Sequence, residues 1–366
     1  MISLRTMMMR GGTCSGMYLL KSDLDETGLE PDVLLSVILG SLDRRQTDQF
    51  GGDGSTTTKV AIVGPSTRPD CDVDYLFAQV DLTTLWVDWT LTCGNLLAGV
   101  APFAIERGLV APADPYTMVR VHLVNTGATV MVSVGTPGAC LRYDADCQIG
   151  GVPQRASPID LVFSNFCGGR TGQLFPTGSP VDLIGAVEIT AIDAGVCAII
   201  AEASAFGITG HESPRQLNSD TGLLDRLARL RLRAALAMGL GDARGYVLPK
   251  VLLVSESECG DIRSRYFVPD RCHTAHAVSA AICLATASVV PDTVAGRLIG
   301  RPSGARPIVV EHPTGTTMID ITRAGDSDLG IWAAVRSTAQ KLFDGYVFAD
   351  MSREPCLIGA VGAGVT

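Results

Sequence analysis

Two segments of this chain are apolar on every side of a helical wheel. One runs Thr92-Cys-Gly-Asn-Leu-Leu-Ala-Gly-Val-Ala-Pro-Phe-Ala-Ile-Glu-Arg-Gly108, the other Val278-Ser-Ala-Ala-Ile-Cys-Leu-Ala-Thr-Ala-Ser-Val-Val290. Each opens with a thiol or hydroxyl and small residues, then continues without a polar face. Such a helix must be surrounded by other structure. Gly108 and Pro291 supply the stops. The apolar stretches Leu91–Ile105 and Ala277–Val290 are too short to cross a bilayer, so no membrane association is expected.

What surrounds the two helices reads as strands. Lys59–Val63, Met118–Val124, Thr129–Val134, Val187–Ile192, Val196–Ala201, Val251–Val254 and Thr317–Ile321 are short, β-branched and bounded by Gly, Pro or Asp. An amphipathic helix is expected over Gly222–Met238, with Leu223, Leu224, Leu227, Leu230 and Met238 on one stripe and Ser219 or Asp220 as its cap. A surface helix is expected over Pro31–Leu42. With 366 residues, two domains are affordable. The boundary is placed near Ser179–Ala186, giving an N-terminal half of residues 1–182 and a C-terminal half of residues 183–336. Residues 337–366 are expected to return to the N-terminal half. If the two buried helices pointed their N-termini at one another, two positive dipole ends would converge on one anion site.

Charge and cysteine usage narrow the partners. A net charge of −9 gives no basic face for a nucleic acid. An acidic ligand would need a local site of helix N-termini, backbone amides and a few cations. The 11 cysteines have no CxxC pair and no zinc-finger spacing with histidine, and His273 and His276 have no carboxylate at helical spacing; no metal is expected. That many unpaired thiols point to a reducing compartment, and MISLRTMMMRGG lacks the apolar core of a signal peptide, so a cytoplasmic location is expected.

Three places offer chemistry. Cys93 opens the first buried helix, where the helix dipole and unpaired N–H groups favour thiolate. Gly94 after it allows close backbone approach, and Asn95 offers a donor and an acceptor. The alternative is a buried structural cysteine, which Cys71, Cys140, Cys197 and Cys283 are taken to be. Lys59 is one of 4 lysines against 25 arginines and leads directly into an apolar strand. A partly buried amine can serve as a base, which arginine cannot; a lysine reaching from a strand end into water is the alternative. The loop Arg10-Gly-Gly-Thr-Cys-Ser-Gly16 can cradle a carboxylate on its N–H groups or be a plain tight turn. It is no Walker loop, and Gly51-Gly-Asp-Gly54 is no dinucleotide fingerprint. Weaker Gly/Thr loops occur at Arg170–Gly172, Pro176–Gly178 and His312–Gly315.

In this order the pieces resemble the PrpF family within the diaminopimelate epimerase-like fold. The stretches that carry the resemblance are Met9–Thr13, Ser55–Val63, Cys93–Val110, Arg170–Asp182, Gly207–Glu212, Pro249–Val251, His273–Ala285, His312–Gly315 and Arg336–Val347. The resemblance implies an α+β fold of two pseudo-symmetric halves, each a β-sheet roll around a central buried helix, with the site between them. It implies a cofactor-independent isomerase that shifts a double bond in an unsaturated di- or tricarboxylate. 4-Oxalomesaconate is preferred, then methylitaconate or aconitate. The family's lysine and cysteine pair matches Lys59 and Cys93. Substrate contacts are expected from Arg10, Thr13, Cys14, Ser15, Gly94, Asn95, Ser279, Ala280, Thr314 and Gly315. Where the family reads Thr-Ser-Lys-Gly or Thr-Ser-Arg-Gly this chain has Thr13-Cys14-Ser15-Gly16, and its usual Thr-Gly-Ala is Ser279-Ala280-Ala281, which points to a shifted substrate.

The expected reaction is a 1,3-allylic proton transfer in which Lys59 removes the proton and Cys93 returns it, with the reverse assignment open. The amides of Gly94 and Asn95, with Ser279, Ala280 and the Arg10–Ser15 loop, would hold the dienolate. An amino-acid racemase would need a second thiol where Ser279 stands, and a non-catalytic carboxylate-binding protein would use the same pocket without turnover. A homodimer is the commonest assembly for such a protein.

Overall fold

A computed structural model describes residues 1–40, 57–82, 86–300, 307–323 and 330–353. The chain forms two compact units. Unit 1 comprises Met1–Gln148, Gln154–Leu161 and Ser337–Thr366, and unit 2 comprises Ile149–Pro153 and Val162–Arg336.

Unit 1 begins with β1 (Ile2–Gly11), β2 (Cys14–Leu20), α1 (Lys21–Glu26) and α2 (Pro31–Leu39), followed by β3 (Lys59–Pro65), β4 (Val73–Val80) and β5 (Val87–Asp88). It continues with α3 (Gly94–Glu106), β6 (Tyr116–Leu123) and β7 (Thr129–Gly135), and β8 (Pro158–Ser164) starts in unit 1 and belongs to unit 2 from Val162 on. Along β1-β2-β3-β4-β6-β7 the pairings run antiparallel, parallel, antiparallel, parallel, antiparallel. A parallel neighbour requires a crossover. Here α1 and α2 carry the chain from β2 to β3, and α3 carries it from β4 to β6.

Unit 2 repeats this plan. It consists of β9 (Asp182–Ile184), β10 (Val187–Asp193), β11 (Cys197–Glu202), α4 (Pro214–Ser219), α5 (Thr221–Ala237), β12 (Lys250–Ser255) and β13 (Ile262–Phe267). Then come α6 (Val278–Ser288), α7 (Val294–Ile299), β14 (Ile308–His312) and β15 (Gly315–Arg323), and β16 (Ile331–Ala349) starts in unit 2 and belongs to unit 1 from Ser337 on. Along β10-β11-β12-β13-β14-β15 the pairings alternate in the same antiparallel and parallel order. The crossovers are again a helix pair, α4 and α5, and a second segment led by the apolar helix, α6 and α7.

The two all-apolar segments are therefore the crossover helices. α3 packs against β1, β2, β3, β4, β6 and β7, and every residue from Gly94 to Ala104 is buried. α6 packs against β10, β11, β14 and β15. A second apolar layer lies on the outer face in unit 1, where Leu34, Leu35, Ile38 and Leu39 of α2 meet Val60, Ile62 and Ala78. Buried on both faces, β3 runs apolar without alternation from Val60 to Val63. In unit 2 α5 lays Leu223, Leu227 and Leu230 on Ile199, Val251 and Leu253.

The expected strands all appear, with ends shifted by one or two residues; Val124 falls just outside β6 and Val196 just outside β11. Asp220 is the cap of α5, accepting from the Leu223 N–H at 2.9 Å, whereas the Ser219 hydroxyl donates to the Gln216 carbonyl. The helix expected over Pro31–Leu42 ends at Leu39, where Gly40 adopts the left-handed conformation (φ 87°); one face buries Leu34, Leu35, Ile38 and Leu39, and Asp32 is exposed. The long β16 was not anticipated. Its residues 331–335 pair with β15, and its residues 339–349 pair with β1. Among the described residues no helix is long and apolar enough to cross a membrane.

Candidate active site

In unit 1 the β1–β2 hairpin lies over the first turn of α3, and small residues allow it. A Cβ on Gly11 would lie 2.5 Å from the Asn95 carbonyl oxygen, and one on Gly12 would collide with Asn95 Oδ1. One on Gly16 would lie 2.5 Å from the Lys59 carbonyl oxygen. Asn95 clamps the hairpin tip. Its Oδ1 accepts from the Thr13 N–H at 3.4 Å, while its Nδ2 donates to Thr13 Oγ1 at 3.2 Å and to Cys14 Sγ at 3.6 Å.

Cys93 is the N-cap of α3, in extended conformation (φ −122°, ψ 100°), with its side chain buried. The Tyr75 hydroxyl donates to its carbonyl at 3.2 Å, and the Tyr18 hydroxyl donates to the carbonyl of Leu96. These two sheet tyrosines fix the helix's first turn. A hydrogen bond from the Cys14 thiol, with the charge of Lys59 and the amides of Leu96 and Asn95, overcomes burial and lowers the Cys93 thiol to about 6. Cys14 moves the other way, held well above the ordinary thiol value by that same hydrogen bond and by burial. Cys93 is thus the thiolate of the pair near neutral pH, and Cys14 the thiol.

Lys59 opens β3 directly opposite Gln79 of β4. Its Nζ donates to Gln79 Oε1 at 2.6 Å and sits 5.2 Å from the centre of the Phe77 ring. The Gln79 amide is oriented by two donations from its Nε2, to the Thr58 carbonyl at 3.0 Å and Thr58 Oγ1 at 2.8 Å. Arg10 supports the hairpin from beneath. Its Nη1 donates to the Gly12 carbonyl at 2.9 Å and to Thr338 Oγ1 at 3.0 Å, and its buried Nη2 has no protein partner. Ser15 pairs with Arg10 in the β1–β2 register, and both Thr13 and Ser15 are partly exposed. The residues Gly51–Thr56 ahead of Lys59 lie outside the described part of the chain.

In unit 2 Ala277 is the N-cap of α6, so Ser279 stands partly exposed in the first turn while Ala280 is sealed. Cys283, one turn on, is fully buried and held well above the ordinary thiol value by burial. It cannot supply a second reactive thiol. Thr314 Oγ1 is 3.3 Å from His312 Nδ1, and Gly315 follows with φ +143°. His276 stacks on Tyr266 with ring centres 5.2 Å apart and lies 6.2 Å from His312. Burial holds His276 down to about 3 and His312 to about 4. Two of the weaker loops are occupied by the protein's own carboxylates. Asp193 accepts from the amides of Arg170 and Thr171 at 2.9 and 2.8 Å, and Asp182 accepts from Thr177 Oγ1 at 2.6 Å.

The model of the family described as "PrpF protein" matches residues 1–350. The chain belongs to the PrpF family. Over 343 residues it is 40% identical to 4-oxalomesaconate tautomerase of Pseudomonas putida, covering 93% of this chain and 94% of that one. It is likewise 40% identical over 344 residues to (4E)-oxalomesaconate Delta-isomerase of Novosphingobium sp., covering 93% and 96%. The crystal structure of methylitaconate-delta-isomerase superposes with a TM-score of 0.81 at 30% identity, covering 96% of this chain and 97% of that one. The fold is the α+β diaminopimelate epimerase-like one that the PrpF motifs implied.

For a PrpF protein the site holds one residue that sequence reasoning missed. Gln79 sits 20 residues from Lys59 in an ordinary strand, and only the β3–β4 register places the two side by side. The amide of Asn95, expected to hold a dienolate, is instead directed at the Cys93 sulfur together with that of Leu96. Among the described residues no three His, Cys, Asp or Glu side chains come together as a metal would require.

Proposed function

We propose that this protein is an isomerase that moves a proton across the allyl system of an unsaturated di- or tricarboxylate, with 4-oxalomesaconate the first candidate and methylitaconate or an aconitate the next. The observation that carries the reading is the buried Cys93 thiol at the N-cap of a helix enclosed by sheet, a position where the surrounding donors and the Lys59 charge hold it down to about 6. A base poised just below neutral pH suits abstraction of a C–H proton acidified by a conjugated carbonyl. The names of the two relatives at 40% identity favour an oxalomesaconate substrate.

The surroundings of Cys93 favour it as the base, the reverse of the assignment first expected from the sequence. The thiolate takes the proton from the sp3 carbon, and the C–H electrons shift through the allyl system to give a dienolate. Lys59, with its Nζ oriented by Gln79, returns a proton to the far carbon of the allyl system. One C–H bond breaks and one forms, so the reaction balances with no redox partner. Thr13 and Ser15 are the partly exposed hydroxyls of the hairpin beside this pair and are the substrate contacts we assign in unit 1.

The test is ultraviolet detection of double-bond movement in 4-oxalomesaconate, run beside proton exchange in heavy water, for wild type, Lys59→Ala and Cys93→Ser. The reading requires isomerisation by the wild type and its loss in both variants. Full activity in either variant sinks the assignment. Calorimetric binding of the acid with no spectral change in the wild type sinks the activity itself and leaves a carboxylate-binding protein.

A further inference from the structure

The tip of the β1–β2 hairpin is gripped from two directions, and every group involved belongs to unit 1. Gly12 sits there in the left-handed region (φ +51°). Both of its polar groups are taken. Its N–H donates to the Thr338 carbonyl of β16 at 2.9 Å, and its carbonyl accepts from Arg10 Nη1 at 2.9 Å. The same Nη1 reaches Thr338 Oγ1 at 3.0 Å and the Thr338 carbonyl at 3.2 Å, and Thr338 is buried. From the other side the Thr13 N–H donates to Asn95 Oδ1 at 3.4 Å. The Gly12 carbonyl and the Thr13 N–H are the two ends of one planar peptide group, so Arg10 and Asn95 hold opposite ends of the same rigid unit. Glycine tolerates either sign of φ and would let an unheld peptide turn over. A guanidinium meant for a substrate would present its terminal nitrogens to the ligand. Here Nη1 faces three protein oxygens and Nη2 is sealed from solvent.

We infer that Arg10 is a positioning residue and not the substrate contact expected from the sequence: braced on Thr338, it locks the Gly12–Thr13 peptide so that the hairpin tip stays docked on Asn95 at the start of α3. This rests on the reading of the hairpin and the α3 N-terminus as the site of proton transfer. The lock has a consequence for the ligand. With the Gly12 and Thr13 amides bonded to protein oxygens, the tip does not cradle a carboxylate on those two N–H groups. What it offers is the side chains of Thr13 and Ser15, carried on a fixed backbone. The Thr13 hydroxyl oxygen already accepts from Asn95 Nδ2 at 3.2 Å, so its own proton is left to donate.

The experiment measures amide hydrogen exchange of the ligand-free protein on the peptide covering the hairpin tip, beside kcat/KM for 4-oxalomesaconate. Arg10→Met keeps an unbranched stem and removes the donors. Exchange at the tip is expected to quicken about tenfold or more while the rest of the chain keeps its rates, and kcat/KM to fall by a similar factor. Thr338→Val is nearly isosteric and removes one of the three acceptors, so both quantities should move the same way by less. Thr338→Ser keeps the hydroxyl and should restore both. That pair decides the matter if Arg10→Met does not fold. A fall in kcat/KM with unchanged tip exchange in Arg10→Met would make Arg10 a substrate ligand and overturn the proposal. Exchange as fast in Thr338→Ser as in Thr338→Val would overturn it too. Exchange is read without substrate, so a wild type that fails to isomerise the acid removes the proposed function and leaves the role of Arg10 to be decided by exchange.

Discussion

The amine of Lys59 and the amide of Gln79 face one another across the β3–β4 pair, Nζ to Oε1 at 2.6 Å, and the Gln79 nitrogen is in turn tied to both oxygens of Thr58. A flexible four-carbon side chain is thereby given one direction. A neutral acceptor does this without cancelling the charge that acts on Cys93.

Gln79→Leu should therefore release the amine while leaving the apolar strand intact. A hydrogen bond to a charged group contributes roughly 1.5–3 kcal/mol, so kcat should fall roughly ten- to a hundredfold with KM changed less. Steady-state kinetics checks this. A variant with wild-type kcat would show that Lys59 needs no such orientation.

The pH dependence has a definite sign. The donors around Cys93 hold its thiol down to about 6, and in the proposed mechanism its thiolate is the base. The logarithm of kcat/KM should rise with pH through that value and level off above it. A profile that instead falls as pH rises through about 6 would require the protonated thiol, returning the base role to Lys59.

Gly16 is the point where β2 passes over the backbone that carries Lys59. A Cβ there would sit 2.5 Å from the Lys59 carbonyl oxygen, and backbone cannot swing aside as a side chain can. Gly16→Ala should cost about 1–3 kcal/mol of stability in urea titrations and lower kcat as well. Gly135→Ala meets nothing within 4 Å and serves as the control that should remain near wild type.

His276 and His312 make unit 2 sensitive to acid. Their folded values, about 3 and about 4, lie below the ordinary imidazole value, because burial disfavours the charged form. The unfolded chain takes up these protons first as pH falls. Their contribution is complete above the unfolded value of about 6.5 and is lost progressively below it. Near pH 5 the slope should approach two protons, roughly 2–3 kcal/mol per pH unit. Urea midpoints across this range measure it, and His276→Gln should reduce the slope by about half. An unchanged slope in that variant would mean the acid sensitivity arises elsewhere.

Much of the fold was legible because burial leaves a compositional trace. A helix enclosed by sheet has no polar side, and α3 and α6 show this in plain sequence. Strands buried on both faces read as unbroken β-branched runs, as β3 does. The long β16 left a fainter trace. Its outward positions carry Trp332, Tyr346 and Phe348, all exposed, so polarity does not alternate with burial along it. The Gly/Thr loop at Arg170 is an anion cradle that Asp193 fills, and at the Pro176–Gly178 loop the Thr177 hydroxyl donates to Asp182. Sequence shows that a loop can hold a carboxylate and not which carboxylate reaches it.

Residue order alone determined that Cys93 would cap a buried helix and that Lys59 would open an apolar strand, since both follow from local pattern within a few neighbours. Tertiary structure alone decided that Asn95 would meet Cys14, 81 positions away, and that Gln79 would meet Lys59. Strand register and the glycine-permitted descent of a hairpin onto a helix create those contacts, and neither is written in any one segment. The charge state of the sulfur depends on them, because a buried thiol becomes a thiolate only where donors from several strands and a helix end converge.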